Sequence, residues 1–146
     1  MDNIVSFEQW SQNKVELLKE RVVHGIDREE VKDYYRSIVS HSVGHMTLLQ
    51  RYTVEQYLLE VLSEFFYLGA QASKQYRLKR TEEEIEQSVS GIFFDKLCTL
   101  AAEFHINRYL GEWDAYSISI IAEDLAAKWF RKGFTYGQKL RKLRLL

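Results

Sequence analysis

The chain has no proline and a single cysteine in 146 residues. Without proline, nothing obliges a helix to kink or a linker to stiffen into a polyproline rod. One thiol, Cys98, excludes an internal disulfide and fits a reducing compartment. Long apolar runs are missing too. No stretch approaches the ~20 residues that span a bilayer. The opening Met1-Asp2-Asn3-Ile4 has neither the positive flank nor the apolar run of a secretory leader. The expectation is a single cytoplasmic domain over 1–146, long enough to bury a core without metal or disulfide staples. Also absent are phosphate-cradling glycine loops, Cys-x-x-Cys pairs, His-Glu-x-x-His and the Gly-x-Ser-x-Gly elbow. No catalytic residue and no cofactor can be named, which favours a non-enzyme.

What is present is a set of helix-start signatures. Ser6…Gln9, Asp27…Glu30, Thr53…Gln56 and Thr81…Glu84 each place a side-chain acceptor three residues before an acid or amide. The first group can satisfy an orphan backbone N–H of a new helix while the second reaches back to the cap. Apolar residues at steps of three and four follow each box. The first helix is predicted from Phe7 to about Val23, with Gly25 as a left-handed stop. A second starts after Asp27 and is interrupted around Ser40–His45. The third, about 54–78, is apolar over most of its circumference and is therefore expected at the centre. Gly69 within it suggests a close packing contact, because glycine costs a helix ~1 kcal/mol relative to alanine. The fourth runs from Glu82 to about Tyr109, with Ile85, Val89, Ile92 and Phe93 opening its apolar stripe and Gly111 as its stop. The fifth is capped by Asp114 or Ser117 and continues almost to the C-terminus. The fold expected is all-α: five helices, mostly antiparallel.

Charge placement agrees with this plan. Lys74, Arg77, Lys79 and Arg80 close helix three, and Glu82, Glu83, Glu84 and Glu86 open helix four, as the helix dipole favours. Surplus aromatics (nine Tyr, eight Phe, three Trp) fill the stripes, with Tyr52, Tyr76, Trp113 and Tyr116 near helix ends. More aromatic surface than a small core needs suits a protein interface.

Two groups of residues invite a chemical reading. His41 and His45, four apart, share a face on a continuous helix, a recognised metal-ligand spacing, and Glu64 on the central stripe could complete a site. The alternative puts the histidines in an inter-helix turn and pairs Glu64 with an Arg, Lys or Tyr inside the bundle. Cys98 and His105 are two turns apart, too far for a thiolate–imidazole pair, so Cys98 reads as a partly buried filler.

The second group is the C-terminus. Residues 131–146 carry Arg131, Lys132, Lys139, Arg141, Lys142 and Arg144 and no acid; the preceding 130 residues hold the other 14 cations against all 21 acids, a net −7. The cations complement the dipole of a last helix. They could also grip phosphates, with aromatics nearby for stacking. Alternating with leucines, they could instead form a membrane-surface or partner-binding end. The acidic body and the lack of a reader motif weigh against nucleic acid. A protein partner or self-association is favoured, with Lys139, Arg141, Lys142, Arg144, Trp129 and Phe134 as contacts.

The segments Glu64-Phe65-Phe66-Tyr67-Leu68-Gly69 and Trp129-Phe130-Arg131-Lys132-Gly133-Phe134, followed by Lys142-Leu143-Arg144, resemble the YbaK-type small proteins of Bacillus and relatives. The similarity is best from about Thr53 onward. It implies a cytoplasmic bacterial helical protein of unknown function and carries over no catalytic residue. It draws attention to Glu64, Gly69, Trp129 and Gly133.

Overall fold

A computed structural model describes Leu17, residues 19–74 and residues 81–144. The Ser6…Gln9 box, Phe7, Tyr76 and the cations Arg77, Lys79 and Arg80 lie outside the described residues. So does the expected end of the central helix near Leu78. Helical residues 19–23 lead to a turn at 24–26. Six α-helical segments follow among the described residues: α1 (Arg28–Tyr34), α2 (Ser40–Val43), α3 (Leu48–Ala72), α4 (Glu82–Glu103), α5 (Ile106–Tyr109) and α6 (Glu112–Lys142). There is no strand among them.

Local chemistry explains most boundaries, and several differ from expectation. Asp27 caps α1 by accepting the Glu29 N–H at 2.9 Å, and the Thr81 hydroxyl accepts the Glu84 N–H at 3.1 Å at the head of α4. The central helix opens six residues earlier than predicted. Thr47 and Gln50 form a reciprocal capping box, with Gln50 N–H on Thr47 and Thr47 N–H on Gln50. Thr53, the expected cap, lies inside the helix and donates its hydroxyl to the Leu49 carbonyl, the usual habit of a mid-helix threonine. Gly25 has no positive φ, so it is not a left-handed stop. The long fourth helix is broken by His105, which takes the left-handed conformation (φ 54°) after α4 and starts the short α5. Gly111 is the N-cap of α6, not a stop. Asp114 lies within the first turn of α6 and does not cap it.

The predicted interruption at Ser40–His45 is present, and a distortion of the helix precedes it. A single π-helical turn, Tyr35–Val39, joins α1 to α2, and the helix ends at Gly44. The consecutive tyrosines at this junction serve different neighbours. The Tyr34 hydroxyl donates to Asp124 on α6 at 2.8 Å, and that of Tyr35 donates to Glu55 on α3 at 3.0 Å.

Helices α3 and α6 form the spine. Buried positions on α6 (Ile118, Ile121, Ala122, Leu125, Ala126, Trp129, Phe130, Gly133, Phe134, Gly137, Leu140) step by three and one without a break, the signature of one face held against a partner. On α3 the buried set follows the same rhythm from Val54 to Phe66 and then broadens to take in Tyr67, Gly69, Ala70 and Ala72. At the crossing the backbones touch. A Cβ on Gly69 would run into the Phe130 carbonyl and stand 2.8 Å from the Phe134 nitrogen; one on Gly133 would strike the Phe66 carbonyl; one on Gly137 would lie 2.6 Å from the Ala70 carbonyl oxygen. This is the packing reason for glycine at position 69. Helix α4 packs through Phe93, near its middle, which sits between Phe65 (ring centroids 4.8 Å apart) and Phe130 (4.9 Å). Ile92, placed on its inner stripe by sequence, is exposed.

Candidate functional site

The three metal candidates are not brought together. His41 is exposed on the last helical turn before Gly44, and His45 lies beyond that helix end, so their four-residue spacing does not share a helical face. His45 Nε2 instead sits 2.8 Å from Asp114 Oδ1 and ties this turn to the start of α6. Glu64, its side chain 13 % exposed, lies between Lys19 and Lys96, the latter at 3.3 Å. Burial lowers the pKa of Lys19 while Glu60 opposes that shift. No group of three His, Cys, Asp or Glu among the described residues is close enough to hold a metal ion.

The expected interaction residues divide into two kinds. Trp129 (2 % exposed) and Phe134 (1 %) belong to the core and cannot act as surface contacts. Trp129 packs edge-on against Tyr34, their ring centroids 5.3 Å apart. Phe134 is enclosed with Ile85, Phe130 and Ala72. Their place in the core follows from the α6 stripe, which counts them as inward positions. Arg141 donates to the buried Ser73 at 2.9 Å, and Arg131 pairs with Glu86 at 3.0 Å. Lys132 pairs with Glu30. Lys139, Lys142 and Arg144 are exposed. Half of the basic tail is therefore occupied in joining α6 to its neighbours.

Among the openings in the surface, two lie against the stretch of α3 from Tyr57 to Leu62. A cavity of about 100 Å³ lies beside the π-helical turn, walled by Val31, Tyr35, Val39, Leu58 and Leu62, with Leu125 behind them. A larger one, about 340 Å³, separates the second half of α4 from the first half of α6. Alanines and a serine (Ala101, Ala102, Ala115, Ala122, Ser119) line its facing walls, too short to meet across the gap. Tyr57 of α3 also lines this groove. It is 3 % exposed, its ring lies tilted 5.9 Å from that of Phe104, and its hydroxyl makes no hydrogen bond among the described residues. Burial, with Cys98 and Glu123 close by, pushes that hydroxyl up to about 12. Cys98, expected to be a partly buried filler, is an exposed thiol on the groove wall.

A different feature occupies the end of the molecule where α3 and α6 begin. Gln50 donates to the Tyr109 carbonyl at 2.9 Å, and the His45–Asp114 contact joins the neighbouring turn. Around these tethers stand Leu48 (84 % exposed), Trp113 (83 %), Leu49, Tyr52 and Tyr109, all substantially open to solvent. Sequence reasoning found Tyr52 and Trp113 as helix-end aromatics. It missed Leu48 and Leu49 because the Thr47…Gln50 box, present in the sequence, was not read as a helix start. No described helix is long and apolar enough to cross a membrane.

Comparison with known proteins adds a family and no activity. Residues 1–146 match the family described as Protein of unknown function (DUF2521), and the chain belongs to it. The match runs over the whole chain, not only the C-terminal half, and gives no support to the narrower YbaK-type assignment. No curated protein and no solved structure matches the chain.

Proposed function

We propose that the protein is a non-enzymatic interaction module of the bacterial cytoplasm that associates with a second copy of itself through the apolar end. The observation that carries this reading is the exposure of Leu48, Leu49, Tyr109 and Trp113 around two hydrogen-bonded tethers. Large apolar side chains gathered at a solvent-facing end mark contact surfaces. Trp and Tyr are the residues that carry most of the binding energy once such a surface closes. Charge favours a like partner. The body is acidic and the C-terminal segment basic, so Lys139, Lys142 and Arg144 of one copy attract the body of another and steer the encounter. The unpaired Cys98 supports the reducing compartment.

Light scattering on the full chain tests the reading. The expected result is a mass that rises with concentration toward a dimer and returns to the monomer in Trp113→Glu and in Leu48→Glu. Both variants should keep the wild-type circular dichroism, since neither side chain is in the core. A strict monomer at every accessible concentration would sink the proposal.

A further inference from the structure

We infer that the end of the molecule where α3 and α6 finish is a docking surface for an anionic phospholipid bilayer. The inference does not depend on self-association, which uses the opposite end. Its first support is topology. Phe66 faces Gly133, Ala70 faces Gly137 and Ser73 meets Arg141, so residue numbers rise together and the two helices run parallel. Both deliver their C-termini to one end, where the Arg141–Ser73 bond holds them side by side. Lys74 after α3 and Lys139, Lys142 and Arg144 at the end of α6 are all exposed there. In sequence, the connection from Lys74 to Thr81 adds Arg77, Lys79 and Arg80 and no acid. Basic clusters of this size attract acidic lipid headgroups.

The acidic body does not cancel this charge. Glu30 and Glu86 answer Lys132 and Arg131, lower on α6. Ile85, enclosed with Phe134, sets the level of the head of α4, and Glu82, Glu83 and Glu84 lie within one turn of it. Lys142 stands about 12 Å beyond Phe134 along the helix axis. The basic tip projects past the acids.

The apolar groups at this end favour a bilayer over a nucleic acid. Leu143 is 58 % exposed between Lys142 and Arg144, and Leu145-Leu146 follow in sequence. A leucine flanked by cations sinks into the headgroup region while the cations hold phosphates. Bases would need aromatic faces on which to stack. Phe130 and Phe134 are buried, and the Tyr136 ring leans on Phe66 with centroids 5.6 Å apart. The contact is peripheral, since no described helix is long and apolar enough to cross a membrane.

Sedimentation of the full chain with sucrose-loaded vesicles is the test. Vesicles of phosphatidylglycerol and phosphatidylcholine in equal parts should carry the protein down at low salt. Binding to phosphatidylcholine alone should be at least about 100-fold weaker, at about five-fold for each exposed cation. Added salt should release the protein from the acidic vesicles, because screening shortens the reach of surface charge. The double variant Lys139→Ala, Lys142→Ala should bind them about 25-fold more weakly. Its circular dichroism should not change, because both side chains are exposed. Leu143→Gln keeps every charge and should weaken vesicle binding about five-fold through lost apolar burial. Trp113→Glu, at the other end, should still sediment, which separates this surface from self-association. The inference is overturned by no sedimentation with acidic vesicles, by equal sedimentation with neutral ones, or by an affinity unchanged in the double variant. Tighter binding of single-stranded oligothymidylate than of acidic vesicles at the same salt would assign the end to nucleic acid and overturn it as well.

Discussion

Helix α6 meets its neighbours in two opposite ways along its 31 residues. Toward the C-terminus it presents Gly133 and Gly137 to α3, and backbone lies on backbone. Toward the N-terminus it presents Ala115, Ser119 and Ala122 to α4, and a groove stands open. Small residues line both places, so residue size alone does not decide whether helices touch. At the seam, Gly69 on α3 matches Gly133 on α6, so both surfaces are cut back at the same level and the axes can close. At the groove, α4 is held off by fixed points at either end. Phe93 sits between Phe65 and Phe130 on one side, and His105 reverses the chain on the other. Tyr57 lies at the gap and does not fill it.

The sharpest way to break this contrast is to add one methyl group in two places. Gly133→Ala forces a Cβ into the Phe66 carbonyl and should destabilise the fold by about 3 kcal/mol, the upper range for overpacking. The same change at Gly91, where a Cβ would meet nothing within 4 Å, should stabilise by about 1 kcal/mol through helix propensity. Chemical denaturation of the two variants checks both signs.

Alkaline titration separates the groove from bulk solvent. Burial raises the Tyr57 hydroxyl from 10.0 to about 12. On unfolding, Tyr57 regains the lower value, so the unfolded chain loses this proton first as pH rises. Its contribution is fully present below pH 10 and is lost as pH climbs through the folded value near 12. The expected loss is about 2–3 kcal/mol at 1.4 kcal/mol per unit. Tyr34 shifts in the same direction, from burial and its bond to Asp124. Melting temperatures of wild type and Tyr57→Phe, followed across this window, should converge on a smaller slope for the variant.

A smaller effect distinguishes paired from unpaired phenols. Tyr34→Phe removes a 2.8 Å bond to Asp124 and should cost about 1–2 kcal/mol. Tyr57→Phe removes a hydroxyl without a hydrogen-bond partner and should change neutral-pH stability by less than about 0.5 kcal/mol. A result in the reverse order would overturn the distinction between the two phenols.

Much of the scaffold could be read before any coordinates. The caps at Asp27 and Thr81 and the apolar rhythm of α3 and α6 follow from local chemistry, because a capping side chain acts within three residues and a stripe repeats within two turns. The site was less legible. Trp129 and Phe134 were assigned to the surface although their own stripe positions point inward. Glu64 was weighed as a ligand, and its two lysine partners come from residues 45 positions upstream and 32 downstream. The groove had no signal in the chain, since alanines at 101, 102, 115 and 122 look like ordinary helix formers.

From the order of its residues alone, this protein was bound to be helical and strand-free in its described parts, to cap α1 and α4 where it does, and to pack α3 centrally. Those outcomes depend on interactions between near neighbours in the chain, and near neighbours are visible in a linear string. The close approach of α3 and α6 at Gly69 and Gly133, the groove beside Tyr57 and the exposed end around Trp113 came from tertiary structure. Each depends on how far apart helices settle, and that distance is set by residues that the sequence keeps far from one another.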